Sequence, residues 1–377
     1  MARLGEIFTI TSGGTPNKNE TSYYENGTIP WVKTGDLKGK YILSGVECIT
    51  QEGLENSSAK LFPKDTVLVA MYGATIGACS ILSYGASTNQ ACAAFLPCKK
   101  VLSEYLFYFL SSKKEKFIAD GVGGAQPNIS AGYLKKVEFN LISLSEQQKV
   151  IDVLGKVDGM IYLRKQQLSK LDELVKSRFI ELFGDPETNP KGYKTVLLSD
   201  IAEYYNGLTY SPDNVSENGT IVLRSSNIQN SQLDFEDTVR VDCPVKEKMF
   251  VKENDILMCS RNGSARLVGK VALIKNLSEP MSFGAFMMII RSKYYSYLMT
   301  YFQMDAFRRQ IKTGATTTIN QITGNMLNKI SLPLPEMSDV TQFAEFVEQT
   351  DKLKFEVKEA LEKLETLKKA LMQKYFG

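Results

Sequence analysis

LKKVEFNLISLSEQQKVIDVLGKVD, running from Leu134 to Asp158, returns without a gap as LNKISLPLPEMSDVTQFAEFVEQTD, from Leu327 to Asp351. Leu134 pairs with Leu327, Ser145 with Ser338 and Asp158 with Asp351, always 193 residues apart. The same interval sets Leu168, Leu171 and Leu174 on Leu361, Leu364 and Leu367, then Phe183-Gly184 on Phe376-Gly377. Self-similarity of this length outranks any local motif as a guide to architecture. Towards the amino terminus the repeat is looser. Leu4, Ile7, Gly13 and Thr15 answer to Leu198, Ile201, Gly207 and Thr209, and ENGTI at Glu25 recurs at Glu217. MYGATIGACSIL (from Met71) matches SRNGSARLVGKVALI (from Ser260) with extra residues, and GVGGAQPNIS (from Gly121) matches GATTTINQIT (from Gly314). The chain therefore reads as globular unit, helix, globular unit, helix.

The two helices have a partner in each other. Leu154, Ile161, Leu168, Val175 and Leu182 recur every seven residues, with Val157 and Leu171 beside them. Phe343, Thr350, Val357, Leu364 and Leu371 do the same, flanked by Phe346, Leu353 and Leu367. Such a seam means helix against helix. Ser145 followed by Glu146 offers a cap, and Gly184-Asp185-Pro186 a stop. The rod from Ser145 to Phe183 would be roughly 58 Å long at about 1.5 Å per residue. The expected fold class is α+β: two globular units of mixed α/β structure joined by two long antiparallel helices in a coiled coil. Antiparallel pairing turns the direct repeat into a pseudo-two-fold object. The expected boundaries are 1–143 and 185–336 for the globular units, the second led by a linker over 185–194, with helices over 144–184 and 337–377.

Composition supports this division and removes most enzyme classes. A chain of 377 residues exceeds the size at which one core usually stops growing. With 43% hydrophobic and 23% charged residues it has an ordinary soluble composition, and its longest apolar stretch, MSFGAFMMII (from Met281), is too short to span a bilayer. The amino terminus lacks the apolar core of a secretory signal, so the cytoplasm is the expected compartment. Six cysteines without a CxxC pair read as reduced, mostly buried thiols. There is no histidine, which removes the commonest general base and metal ligand, and no Gly-x4-Gly-Lys-Ser/Thr loop. The Gly73-x3-Gly77 pair is poor grounds for a phosphate loop, because its counterpart, Gly263 to Gly269, changes spacing. Asn189 to Tyr193 only superficially resembles an adenine-holding motif and reads as linker. No catalytic residue, metal or cofactor is called for.

Two unequal heads on paired rods suit a two-part, non-palindromic ligand, and DNA half-sites about one helical turn apart, roughly 34 Å, fall in range. A net charge of +3 is weak for a lone nucleic-acid binder, so a partner adding basic surface is expected. IPWVKTGDL (Ile29–Leu37), VLVAMYGATIG (Val67–Gly77), NQAC (Asn89–Cys92), QPNIS (Gln126–Ser130), SEQQKVIDVLGKVD (Ser145–Asp158) and ILMCSRNGSARLVGKV (Ile256–Val271) are phrases in which the chain resembles a specificity subunit of a Type I restriction-modification system. The likeness covers essentially the whole chain. It implies two target-recognition domains, each reading half of a split site in double-stranded DNA, and helices that space the halves and dock two methyltransferase subunits. Restriction subunits would join through the complex, and catalysis, S-adenosylmethionine and ATP would belong to those partners.

Candidate DNA-contacting residues follow from side-chain chemistry. Asn89, Gln90, Gln126 and Asn128 can pair with adenine edges; Lys33, Arg224, Arg261 and Arg266 can meet guanine or phosphate. Thr34, Tyr72, Ser225, Asn227, Ser260, Asn262, Thr316 and Thr317 complete the set. Loop polarity alone would also supply such residues. Arg261-Asn262 stand out because the opposite copy has Met71-Tyr72 there, and a recognition residue should differ between heads that read different sequences. Trp31 reads as core, with Leu223 or Val222 in its place in the second copy. Two other readings stay open: an autonomous DNA-binding regulator, and a scaffold with protein-binding heads, for which near-neutral charge is the best argument.

Overall fold

The structure, a computed structural model, describes residues 1–43, 46–121, 128–313 and 320–377. It divides into two compact units, residues 1–165 with 359–377 and residues 166–358. Each unit therefore contains one globular fold together with part of both long helices.

In the first unit, β1 (Ala2–Arg3) leads into α1 (Leu4–Ile7), followed by β2 (Ile10–Ser12), β3 (Ile29–Val32), β4 (Tyr41–Ile42) and β5 (Glu47–Ile49). Next come α2 (Gln51–Glu55), β6 (Leu61–Phe62), β7 (Val67–Ala70), β8 (Cys79–Leu82), β9 (Ala86–Thr88) and β10 (Cys92–Phe95). Helices α3 (Ser103–Ser112), α4 (Lys114–Ala119) and α5 (Ala131–Lys136) precede β11 (Glu138–Phe139) and the long α6 (Leu144–Phe183). One sheet has the order β2-β10-β7-β8-β4, a second β5-β3-β9-β6, and β1 pairs with β11. Strands β7, β8 and β10 are buried at every position, which is why they read as apolar runs rather than alternating patterns.

The second unit repeats this plan. After β12 (Thr195–Leu197), β13 (Glu203–Asn206), β14 (Val215–Leu223), β15 (Ile228–Gln229), β16 (Gln232–Leu233) and β17 (Arg240–Val241) come β18 (Ile256–Cys259), β19 (Val271–Leu273), β20 (Met281–Phe283) and β21 (Met287–Arg291). Helices α7 (Tyr295–Tyr301), α8 (Asp305–Thr313) and α9 (Gly324–Leu327) lead to β22 (Ser331–Pro333) and the long α10 (Met337–Phe376). The order β13-β21-β18-β19 matches β2-β10-β7-β8, and the parallel pair β14-β20 matches β3-β9. Register makes the match residue by residue: Phe95 faces Val67 where Ile290 faces Ile256, and Trp31 faces Ser87 where Val222 faces Ser282. Trp31 is buried, its Nε1 donating to Gly14 O, and of the two expected counterparts Val222 is the one that takes its place. The ENGTI match is accordingly one residue out of step in space, a shift taken up by the irregular pairing of β14 with β17. Gly13 and Gly207 occupy one tight crossing in both copies. A Cβ there would lie 2.0 Å from Thr88 O in one and 2.1 Å from Gly284 O in the other.

The long helices run antiparallel within each unit. In the first, Asp158 pairs with Lys368 and Lys165 with Glu365; in the second, Asp172 pairs with Lys354 while Phe179 and Phe183 pack on Phe343. The cap of α6 differs from the expected one. Ser143, not Ser145, stands before the first turn: its Oγ accepts from Glu146 N, and the Glu146 carboxylate takes the Ser143 N–H in return. The α10 seam also departs from expectation, because Leu353 and Leu367 are exposed. Positions buried or half-buried at alternating steps of three and four are Phe343, Val347, Thr350, Lys354, Val357, Leu361, Leu364, Lys368 and Leu371. Two lysines thus sit in a seam otherwise apolar but for Thr350, each reaching a carboxylate on α6, an arrangement that favours one register over its neighbours. Among the described residues no helix is long and apolar enough to cross a membrane.

Candidate nucleic-acid interface

One end of each globular unit gathers the loops that follow its central strands. In the first unit Asn89 N donates to Val32 O, Met71 N to Ala91 O and Ile129 N to Met71 O. These bonds fasten the exits of β3, β9 and β7 and the segment entering α5 into one row that carries Lys33, Asn89, Tyr72 and Asn128. In the second unit Gly284 N donates to Leu223 O, Ser260 N to Phe286 O and Ile322 N to Ser260 O. The same row there carries Arg224, Gly284, Arg261 and Gln321. Isolated bridges seal the match, Tyr72 with Asn128 and Arg261 with Gln321. Arg261 therefore stands opposite Tyr72, and Ser260 opposite Met71, one position away from the pairing expected from sequence.

Residues 33–36 and 224–227 each form a tight turn whose first N–H is held by the fourth side chain. Lys33 N donates to Asp36 Oδ2 at 2.8 Å, and Arg224 N to Asn227 Oδ1 at 2.8 Å. The bases these turns present are compensated: Lys33 Nζ lies 2.7 Å from Glu47, and Arg224 pairs with Asp237 at 2.7 Å. Thr34 and Ser225 share the next position and are half-buried. Tyr72 is exposed, as are Asn128 and Gln90, the last accepting from Thr15 Oγ1. Asn89 is half-buried, and its Oδ1 lies buried with no hydrogen-bond partner among the described residues.

Two candidates are structural. Asn227 is 2% exposed and its amide is fully engaged, accepting from Arg224 N and donating to Asp234 O and Asp237 O. It clamps the loop that carries Arg224 and leaves no edge for a base. Ser260 is buried, with its Oγ on Phe286 O at 3.0 Å. Asn262 is half-buried and faces Ser225 Oγ at 3.4 Å, while Arg261 and Arg266 are exposed. Gln126, Thr316 and Thr317 lie outside the described residues. A further exposed residue at this end, not singled out from the sequence, is Phe286, 60% exposed, with the Arg261 guanidinium 5.6 Å from its ring centroid. Its counterpart is Ala91, and that contrast was the available signal.

Nothing in this row resembles a reaction centre. Among the described residues no group of three His, Cys, Asp or Glu side chains is placed to hold a metal. Burial pushes the Cys79 and Cys92 thiols up to about 12, far above the range of a nucleophilic thiolate. Gly77 and Gly269, both left-handed at φ +77°, close equivalent turns on Ala70 O and Cys259 O, so Gly77 serves turn geometry.

Comparison with known proteins bears on this duplicated row. The family model of the Type I restriction modification DNA specificity domain matches residues 1–173 and again 190–368. The chain belongs to this family. Relatives include the MjaIX specificity subunit of Methanocaldococcus jannaschii, 31% identical over 229 residues, covering 55% of this chain and 52% of that one. The EcoR124I/EcoR124II specificity subunit of Escherichia coli is 27% identical over 201 residues, 49% of this chain and 48% of that one. The chain thus spans about half the length of these two relatives. The StySPI specificity subunit of Salmonella potsdam is 22% identical, covering 100% of this chain and 88% of its own. A structure described under complex assembly and conformational transition of the type I R-M system shares the fold at a TM-score of 0.62, with 18% identity and coverage of 100% and 96%. The S subunit from M. genitalium does so at 0.56, with 15% identity and coverage of 100% and 95%. The two matches of the family model fall on the two copies of one fold, as the repeat requires.

Proposed function

We propose that this chain is the non-catalytic DNA-recognition subunit of a Type I restriction-modification complex, each globular unit reading one half of a bipartite site. The observation that carries the reading is the duplicated row: one backbone frame, held by equivalent hydrogen bonds, presents Lys33, Tyr72, Asn89 and Asn128 in one copy and Arg224, Arg261, Gly284 and Gln321 in the other. A shared frame with divergent tips suits two readers of unlike sequences. Residues 1–143 and 185–336 serve as the target-recognition domains, and 144–184 and 337–377 as the helices that space the half-sites and dock methyltransferase subunits. Val153, Met160 and Leu163 on α6, and Leu353, Phe355 and Leu367 on α10, are exposed apolar side chains that such partners could cover. Two equivalent helix surfaces favour two methyltransferase copies. The site of action is the cytoplasm, where genomic DNA and these partners meet.

A gel-shift with the chain alone and with a co-purified methyltransferase subunit tests the reading. Sequence-specific retention and methylation are expected only with the partner. Tight specific binding by the chain alone would instead favour an autonomous regulator. Adding four residues between Leu163 and Leu171 lengthens α6 by about 6 Å, at about 1.5 Å per residue, so the preferred spacer should grow by one or two base pairs with both half-sites unchanged. An active complex with an unchanged spacer would show that α6 does not set it.

A further inference from the structure

Arg261 differs from the other bases of the row in how it is held. Lys33 and Arg224 each rest against a carboxylate, whereas among the described residues no carboxylate lies within ion-pair distance of the Arg261 guanidinium. Its support is aromatic. Phe286 sits in the turn between β20 and β21, 60% exposed, and the guanidinium lies 5.6 Å from its ring centroid. The backbones beneath are locked together, because Phe286 O accepts from Ser260 N at 2.9 Å, Arg261 N at 3.1 Å and Ser260 Oγ at 3.0 Å. Arg261 is also bridged to Gln321 on its other side. In the first unit the same two positions hold Ala91 and Tyr72, so ring and fork are both peculiar to the second.

We infer that Phe286 and Arg261 act as one element, an aromatic-backed guanidinium that reads a single guanine in the major groove within the half-site of the second unit. The inference rests on the DNA-recognition reading and specifies one base of it. A ring against a guanidinium limits its rotation and leaves the N–H edge directed outward, and that edge matches guanine O6 and N7 with two parallel hydrogen bonds. Lysine keeps the charge but not the planar fork, so exchanging Arg261 for lysine separates attraction to the backbone from two-point reading of a base. Phe286 is thus a positioning residue and Arg261 the reader.

The test uses the full chain with its methyltransferase subunit and a pool of randomised duplexes, with the selected motifs sequenced. The wild-type complex should select guanine at one position of one half-site. Arg261→Lys, which keeps the charge, should reduce that preference about tenfold or more while leaving the other half-site intact. Phe286→Leu should shift the same position in the same direction, and Phe286→Tyr should restore it. In the double variant the two losses should not add. Selection of the other half-site reports that the variants are folded. Retained guanine preference in Arg261→Lys would show that the guanidinium fork is not what reads this base and overturn the inference. An unchanged motif in Phe286→Leu would remove the ring from it. A wild-type complex that selects no bipartite sequence would sink the parent reading as well, whereas selection by the wild type with indifferent variants would sink this one alone.

Discussion

The two copies solve the same interior position in different ways. At the entry to the central strand the first unit has Thr66, fully buried with its hydroxyl on Pro63 O, and Leu96 at the end of the neighbouring strand. The second has Asp255, 1% exposed, gripped by Arg291 through two bonds of 2.7 and 2.6 Å and by Lys252 N at 2.8 Å. Asp65 and Asn254, both left-handed at φ +66° and +68°, precede them and confirm the equivalence. The frame survives exchange of a neutral pair for an ionic one because the backbone bonds are common to both. What each copy must do is leave no buried polar group unmet: Thr66 uses Pro63 O beside an apolar Leu96, and Asp255 uses Arg291 and Lys252 N.

That comparison can be broken most sharply at Asp255. Asp255→Ala leaves Arg291 partly buried without its partner and should destabilise the second unit by about 3–5 kcal/mol. The double change Asp255→Thr with Arg291→Leu, borrowed from the first unit, should fall within about 1 kcal/mol of wild type. Urea unfolding followed by circular dichroism measures both. Trp31, the sole tryptophan, lies in the first unit, so its fluorescence transition should not move. Equal loss in the single and double variants would mean the frame depends on the ion pair.

The loop clamps should give a smaller contrast. Asn227→Ala strands the Arg224 N–H and Asp234 O and removes one of two donors to Asp237 O, and should cost about 2 kcal/mol, whereas Asp36→Ala, which removes one described bond, should cost about 1 kcal/mol. Thermal melts compare the two, and a reversed order would show that the turns are not held as described. Trp31→Phe removes the buried bond to Gly14 O and should cost about 1–2 kcal/mol, with no parallel at Val222. The smallest effects are expected in the helix seam. Lys368→Met and Lys354→Met should each change stability by less than about 1 kcal/mol, since Asp172 is exposed and the Lys368–Asp158 pair is only half-buried. Lys368 should matter more, because its partner Asp158 also holds Tyr108 Oη at 2.8 Å.

Legibility in the sequence follows the range of the interactions. The helices were readable because their signal is local and periodic, and Leu154, Val157, Ile161 and Leu168 keep heptad spacing whatever they touch. The cap was misplaced by two residues because Ser143 and Ser145 are both credible; only the reciprocal bond with Glu146 chooses. Burial of Trp31 was expected correctly. The interface was legible as a collection of residue types and not as a place. Lys33, Tyr72, Asn89 and Asn128 are scattered over almost a hundred positions and meet through the bonds Val32–Asn89, Met71–Ala91 and Met71–Ile129 and the bridge of Tyr72 with Asn128. Asn227 looked like a reader because its amide has base-pairing chemistry, and burial removes it. Phe286 looked like part of an apolar run, and the turn exposes it.

Sequence by itself determined the duplication, the long paired helices and the family, because repeats and heptads are written in residue order and need no partner to be recognised. Tertiary structure decided the register of the two copies, aligning Arg261 with Tyr72 rather than Met71, and it separated clamps from exposed tips. The physical reason is that a side chain's availability depends on which backbone groups it must satisfy, and those groups arrive from strands distant in the chain. Identical chemistry at Arg224 and Arg261 is neutralised by Asp237 in one case and, among the described residues, set over a ring with no carboxylate beside it in the other.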